Sequence, residues 1–175
     1  MEQFPVEADM PGAIDVIRHA GAWMRDNGLD NYSEWWDPDK VSAEMLTSYA
    51  QPDEFFVVKV DNKPAAAVII QAEQSLQDWS SIDKDNQPPK ATYVHYVAVE
   101  REFAGQGLVS VIMDKATEIA VQQGSTVIRL DTNADEPKLC SLYEGLGFQR
   151  VGTEREGDHL TAFYEKPVAV HSVDK

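Results

Sequence analysis

The hydrophobic period changes abruptly on either side of the stretch EREFAGQG. Before it, TYVHYVAV sets β-branched and aromatic residues in the manner of a strand. After it, Leu108, Ile112, Ala116 and Ile119 recur at helical spacing, with Asp114, Lys115 and Glu118 left to water and Gly124 as a stop. Gly105 and Gly107 therefore sit where a strand hands over to a helix. At such a junction the first N–H groups of the helix have no intrahelical partners, and the positive end of the helix dipole gathers beside them. Two residues without side chains let an anion approach that backbone closely, and Gln106 adds an amide donor. The stretch predicts an anion cradle, with a purely structural turn as the alternative. It is not a P-loop, because no Gly-Lys-Ser/Thr follows, and it lacks the full Gly-x-Gly-x-x-Gly of a dinucleotide site.

The rest of the chain alternates between the same two periods without a repeat or a low-complexity tract, which predicts a mixed α and β fold. A short apolar start near Phe4 to Glu7 leads into MPGAIDVIRHAGAWMRDNG, where Ile14, Ile17, Ala20 or Gly21, and Met24 mark a helix that Gly28 stops. A second helix is expected from about Asp39, with Pro38 beside its start and Val41, Met45 and Tyr49 on one face; a lid is one use for it. EFFVVKV, the turn DNKP and AAAVIIQAE predict a β-hairpin. From Gln74 to Lys90 the polar composition and Pro88-Pro89 predict a long loop, of a length often put to functional use. STVIRLDT reads as a strand, DEPKLCSLYEGLGF as a short helix closed by Gly145 or Gly147, and QRVGTE with LTAFYEK as a final hairpin.

Composition bounds the partners. With 175 residues, 43% of them hydrophobic, the chain is expected to form one domain, residues 1–175, with a real core. A single cysteine, Cys140, precludes an internal disulfide, and no Cys/His cluster has zinc-ligand spacing. No basic segment followed by an apolar stretch opens the chain and no long apolar run occurs, so a cytoplasmic protein without a membrane partner is expected. Thirty acidic residues against fifteen basic give a formal charge of −15, which repels phosphate backbones and makes nucleic acid a poor partner. That charge serves solubility or draws a cationic substrate; the sequence leaves both open, and leaves a homodimer open as well.

From Tyr93 to Glu154 the chain resembles the GNAT superfamily of N-acetyltransferases. VAVEREFAGQGLVSVIMDKA is similar to that family's coenzyme A-binding segment, and LDTNADEPKLCSLYEGLGF to the segment that follows it. Members commonly place an Arg or Gln five residues after a strand-end valine, then Gly-x-Gly/Ala. Counting from Val99, this chain has Ala104 at the Arg/Gln position, Gly107 at the first glycine and Val109 at the Gly/Ala position. The resemblance implies an α/β (α+β) fold: a mixed, mostly antiparallel sheet of six to seven strands with about four helices. It implies that the sheet is splayed between strands four and five, TYVHYVAV and STVIRLDT, around acetyl-coenzyme A as co-substrate. It further implies that the pantetheine arm pairs with the backbone of Val97, Ala98 and Val99, that the Val97 N–H polarises the thioester carbonyl, and that the phosphates lie on the backbone of Ala104, Gly105, Gln106, Gly107, Leu108, Val109 and Ser110.

The implied activity is acetyl transfer to a small-molecule primary amine by direct attack in a ternary complex, which calls for a base and an acid. Tyr143 stands where many members carry the tyrosine that protonates the departing sulfur, and a phenol with an ordinary pKa of about 10 can donate. For the base there are two residues and a water chain. His95 lies four residues before Val99, on the same strand face if no bulge intervenes, in a stretch resembling the arylalkylamine N-acetyltransferases, and ordinarily titrates near 6.5. Those enzymes' second histidine corresponds to Tyr93. Glu73 competes as base or as an anchor for a cationic amine. Trp35, Trp36 and Trp79 are candidates for bordering the acceptor or for packing. Cys140 is expected to be small apolar filler. His19, His159 and His171 form no nucleophilic set, which removes a hydrolase. Two further readings stay open: a non-catalytic acyl-coenzyme A sensor, suggested by Ala104 and Val109, and a phosphate- or partner-binding αβ domain.

Overall fold

A computed structural model describes residues 4–28, 36–72, 79–84, 89–157 and 159–169. In chain order these form β1 (Val6–Ala8), α1 (Met10–Asp26), α2 (Ala43–Tyr49), β2 (Phe55–Val60), β3 (Lys63–Ala72), α3 (Ser80–Asp83), β4 (Ala91–Val99), α4 (Leu108–Gln123), β5 (Val127–Asn133), α5 (Pro137–Gly145), β6 (Gln149–Glu156) and β7 (His159–Pro167). The strand order is β1-β2-β3-β4-β5-β7-β6. Registered pairs β1–β2, β2–β3, β5–β7 and β6–β7 are antiparallel, and β4–β5 is parallel. This is the mixed, mostly antiparallel sheet expected from the sequence. The described residues hold five α-helices where about four were expected; α3 is a single turn inside the stretch read as a loop.

The chain divides into two compact units, Met1–Ile70 with His95–Lys115, and Gln71–Val94 with Ala116–Lys175. In the first, α1 starts where the Asp9 carboxylate accepts the Gly12 N–H at 3.0 Å and Pro11 occupies the first turn. Its buried face, Ala13, Ile14, Val16 and Ile17, packs with Val41, Leu46, Phe55, Val57, Ala67, Ile69 and Ala98. The helix expected from about Asp39 begins only at Ala43, because the Ser42 hydroxyl accepts the Met45 N–H at 3.0 Å and caps it there. The β2–β3 turn falls on Asp61 and Asn62, with φ of +51° and +66°, the left-handed pair that a tight hairpin with matched twist requires.

The second unit is built on β5, paired with the first three residues of β4 (Ala91↔Val127 to Tyr93↔Arg129) and, along its whole length, with β7. Trp79, Ala91, Tyr93 and Phe163 form its apolar cluster. Beside them Arg129, only 1% exposed, donates to Asp83 at 2.6 and 2.8 Å and to Glu165 at 2.8 Å, with its guanidinium 4.3 Å from the Trp79 ring centroid. A buried cation is tolerable only when so paired, and the pairing fastens the single turn of α3 onto β5.

Candidate active site

In the first unit β4 runs out at Val99. The next N–H, of Glu100, donates to Ala65 O at 2.8 Å, and a 3-10 turn over Arg101–Phe103 buries Phe103 before Ala104 N–H closes on Arg101 O at 3.2 Å. Gly105 and Gly107 follow with φ of +86° and +75°. A Cβ at either would meet nothing within 4 Å, so conformation rather than crowding selects glycine, and the space over the turn stays open. The first bond of the α4 ladder at this end runs from Val111 N–H to Gly107 O at 3.4 Å. The N–H groups of Leu108, Val109 and Ser110 therefore have no partner inside the helix, and Gly107 has no side chain with which to cap them. Open space, donors without a partner inside the helix and the positive end of a 16-residue helix make this a turn able to receive an anion. Ala104, Gln106 and Ser110 are exposed on this turn, Val109 is half-buried and Leu108 is in the core. Arg101, three residues ahead of Ala104, stacks its guanidinium 4.0 Å from the Trp23 ring centroid.

The strand leading into the turn departs from regularity. Tyr96 has φ of +54°, a left-handed conformation uncommon outside glycine, so the shared face expected for His95 and Val99 on an unbroken strand does not carry through this point. Past it Ala98 packs into the core while Val97 and Val99 are half-buried, and the Tyr96 ring meets Trp36 edge-on at 5.0 Å. His95 is 8% exposed, and burial lowers its pKa from 6.5 to about 4. The titration near 6.5 expected of it is thereby displaced by desolvation. Glu73 and Trp35 lie outside the described residues.

Tyr143 belongs to the second unit. It sits on α5, 7% exposed, its ring against Phe148 (centroids 6.2 Å, edge-on) and Tyr164 (6.4 Å). Burial first, and the Asp131 carboxylate second, push its phenol well above the ordinary 10, so it carries its proton throughout the neutral range. A protonated phenol in low dielectric is a donor, not a base. Cys140, three residues earlier, is buried but is more than apolar filler: its sulfur receives Arg150 Nη2 at 3.1 Å and its S–H points to Asn133 O at 3.7 Å. Trp79 takes the packing role, with Phe163 edge-on at 4.9 Å, and its Nε1 has no hydrogen-bond partner among the described residues. The Arg129 cluster escaped the sequence reading. Its signal was a lone arginine between apolar neighbours in VIRLDT, a residue type almost never fully buried unless paired.

The sequence profile of the acetyltransferase (GNAT) family matches residues 18–148, a span that takes in both the glycine turn and Tyr143. The chain belongs to this family. Among its relatives is YesJ, an uncharacterized N-acetyltransferase of Bacillus subtilis, 29% identical over 164 residues, or 93% of this chain and 87% of that one. The thialysine N-epsilon-acetyltransferase of Bos taurus is 35% identical over 71 residues, 41% of either chain. In fold, this GNAT chain matches PaiA N-acetyltransferase from Thermoplasma acidophilum, solved in complex with coenzyme A, with a TM-score of 0.66 at 16% identity over 95% of this chain and 99% of that one. Among the described residues of this acetyltransferase, no helix is long and apolar enough to cross a membrane, and no group of His, Cys, Asp or Glu is arranged to hold a metal.

Proposed function

We propose that the protein transfers an acetyl group from acetyl-coenzyme A to the primary amine of a small molecule, by direct attack in a ternary complex. The observation that carries this reading is the turn of Gly105 and Gly107: left-handed backbone, open space above it, and helix donors without a cap, in a chain of the GNAT family. Gly105 to Ser110 offer the pyrophosphate their backbone N–H groups while the Ala104 N–H is taken by Arg101 O, so the absence of an Arg or Gln side chain at Ala104 removes one contact and leaves the cradle. The backbone of Val97 to Val99 lines the pantetheine arm, and the Val97 N–H faces the oxygen that gains charge as the carbonyl is attacked.

In the reaction the amine nitrogen forms a bond to the thioester carbon, the carbon–sulfur bond breaks, and two protons move. Tyr143 gives its phenolic proton to the departing sulfur, a role supported by its place on α5 inside the family match; its raised pKa keeps the proton on the phenol at neutral pH but makes it a weaker acid, so the transfer is driven by the basicity of the departing thiolate. His95 or Glu73, or water linked to either, takes the proton lost by the amine. Burial moves the limb expected of a histidine base from 6.5 to near pH 4, which is also the ordinary glutamate range, so the two are separated by His95→Ala and Glu73→Gln and not by the position of the limb. A small cationic acceptor is supported by the charge of −15 and by the similarity to a thialysine acetyltransferase.

The test is thiol release from acetyl-coenzyme A with a panel of small amines that includes thialysine. Tyr143→Phe keeps the ring and should lower turnover by roughly 10² to 10⁴ with coenzyme A binding unchanged. Wild-type turnover in that variant, with chemistry limiting, removes Tyr143 as the acid. The departures at Ala104 and Val109 favour one second reading, a sensor that binds acyl-coenzyme A without turnover; saturable binding with no thiol release across the panel would select it.

A further inference from the structure

The C-terminal turn of α5 carries a glutamate, Glu144, where the negative end of the helix dipole disfavours a carboxylate. The second unit compensates it. Tyr164 of β7, fully buried, donates its hydroxyl proton to Glu144 Oε2 at 2.8 Å. Arg150 of β6 donates to the same hydroxyl oxygen through Nη2 at 3.1 Å and Nε at 3.3 Å. A phenol has one proton to give and two lone pairs to offer, so this oxygen is saturated and its direction fixed. Arg150 Nη2 also reaches Cys140 one turn earlier, at 3.1 Å from the sulfur. The helix is thus tied at a residue before Tyr143 and at the residue after it. The ring that makes the tie, Tyr164, is also one of the two rings against which Tyr143 rests.

We propose that Tyr164, through its hydrogen bonds to Glu144 and Arg150, is a positioning residue that fixes the rotation of α5 and so aims the Tyr143 hydroxyl at the sulfur it protonates. This rests on the assignment of Tyr143 as the acid. Proton transfer needs donor and acceptor within hydrogen-bond reach, so freedom in the last turn of α5 slows the chemical step, while the acetyl-coenzyme A cradle, built on other residues, is untouched. The arrangement predicts a loss in kcat without a matching change in KM.

Tyr164→Phe deletes only the tying oxygen. Assayed by thiol release with acetyl-coenzyme A and the fastest amine of the panel, it should lower kcat roughly five- to twentyfold and leave the KM for acetyl-coenzyme A within about twofold. In a Tyr143→Phe background the same change should cost less than about twofold, since no hydroxyl remains to be aimed. Glu144→Ala, at an exposed position that leaves the core intact, should reproduce the loss, and Glu144→Gln, whose amide oxygen still accepts, should recover most of it. Wild-type kcat in Tyr164→Phe, or an equal loss with and without the Tyr143 hydroxyl, overturns the positioning role while Tyr143 stands as the acid. Wild-type kcat in Tyr143→Phe overturns the acid assignment and the positioning role together.

Discussion

Gly107 has φ of +75°, so any side chain there is strained before a ligand arrives, and an acidic one would also repel a pyrophosphate held as proposed on this turn. Gly107→Glu should weaken coenzyme A by at least tenfold, about 1.4 kcal/mol, in calorimetric titration. Gly107→Ala separates the backbone contribution from the charge. Unchanged affinity in a folded Gly107→Glu protein would move the cofactor off this turn. His95 makes a second residue-scale case. Its folded pKa of about 4 lies below the unfolded 6.5, so between these values the unfolded chain binds a proton that the folded chain refuses. Stability should accordingly rise with pH through this window and be lost as pH falls from 6.5 toward 4, by about 3 kcal/mol at most. In urea unfolding at a series of pH values, His95→Leu should flatten that slope. A slope unchanged by the replacement would assign acid sensitivity to carboxylates instead.

At the scale of elements, most of the fold was legible. Helical periodicity marked α1 and α4, the β-branched and aromatic runs on either side of DNKP marked the first hairpin, and QRVGTE with LTAFYEK marked the last. α3 was not legible: one turn is too short for a period to show, and what holds it is distant in sequence, Asp83 on Arg129. Nor was the bend in β4, since Tyr96 adopts a left-handed φ without any glycine or proline to announce it. Of the candidate site, the glycine turn could be read from residue types alone, whereas the pKa of His95 depends on burial that no local pattern encodes. Gly21 shows how an element's neighbours override its own preferences. Alanine for glycine inside a helix ordinarily gains about 1 kcal/mol. Here a Cβ would overlap the Trp36 carbonyl oxygen, a backbone atom rather than the end of a flexible side chain, so the clash should win. Gly21→Ala should be destabilised by roughly 1 to 3 kcal/mol in denaturant unfolding, and a more stable variant would mean that Trp36 yields.

For the whole molecule, the sequence leads us to treat residues 1–175 as one domain, while the fold divides into two compact units whose divisions fall within β3, β4 and α4 rather than in linkers. Tryptophan placement makes cooperativity measurable. Trp23 and Trp36 belong to the first unit, and Trp79, stacked on Arg129, belongs to the second. In Trp79→Phe the indoles of Trp23 and Trp36 report on the first unit, whereas far-ultraviolet circular dichroism follows both. A single domain predicts that the two signals change together with denaturant. Emission that changes at a different midpoint would show the units unfolding separately. The cation under Trp79 has an optical consequence of its own. A guanidinium fixed 4.3 Å from the indole ring imposes a standing field on it, so the emission peak unique to the wild-type protein should sit away from that of a tryptophan in an apolar core. That displacement would mark the docking of α3 as it forms during refolding.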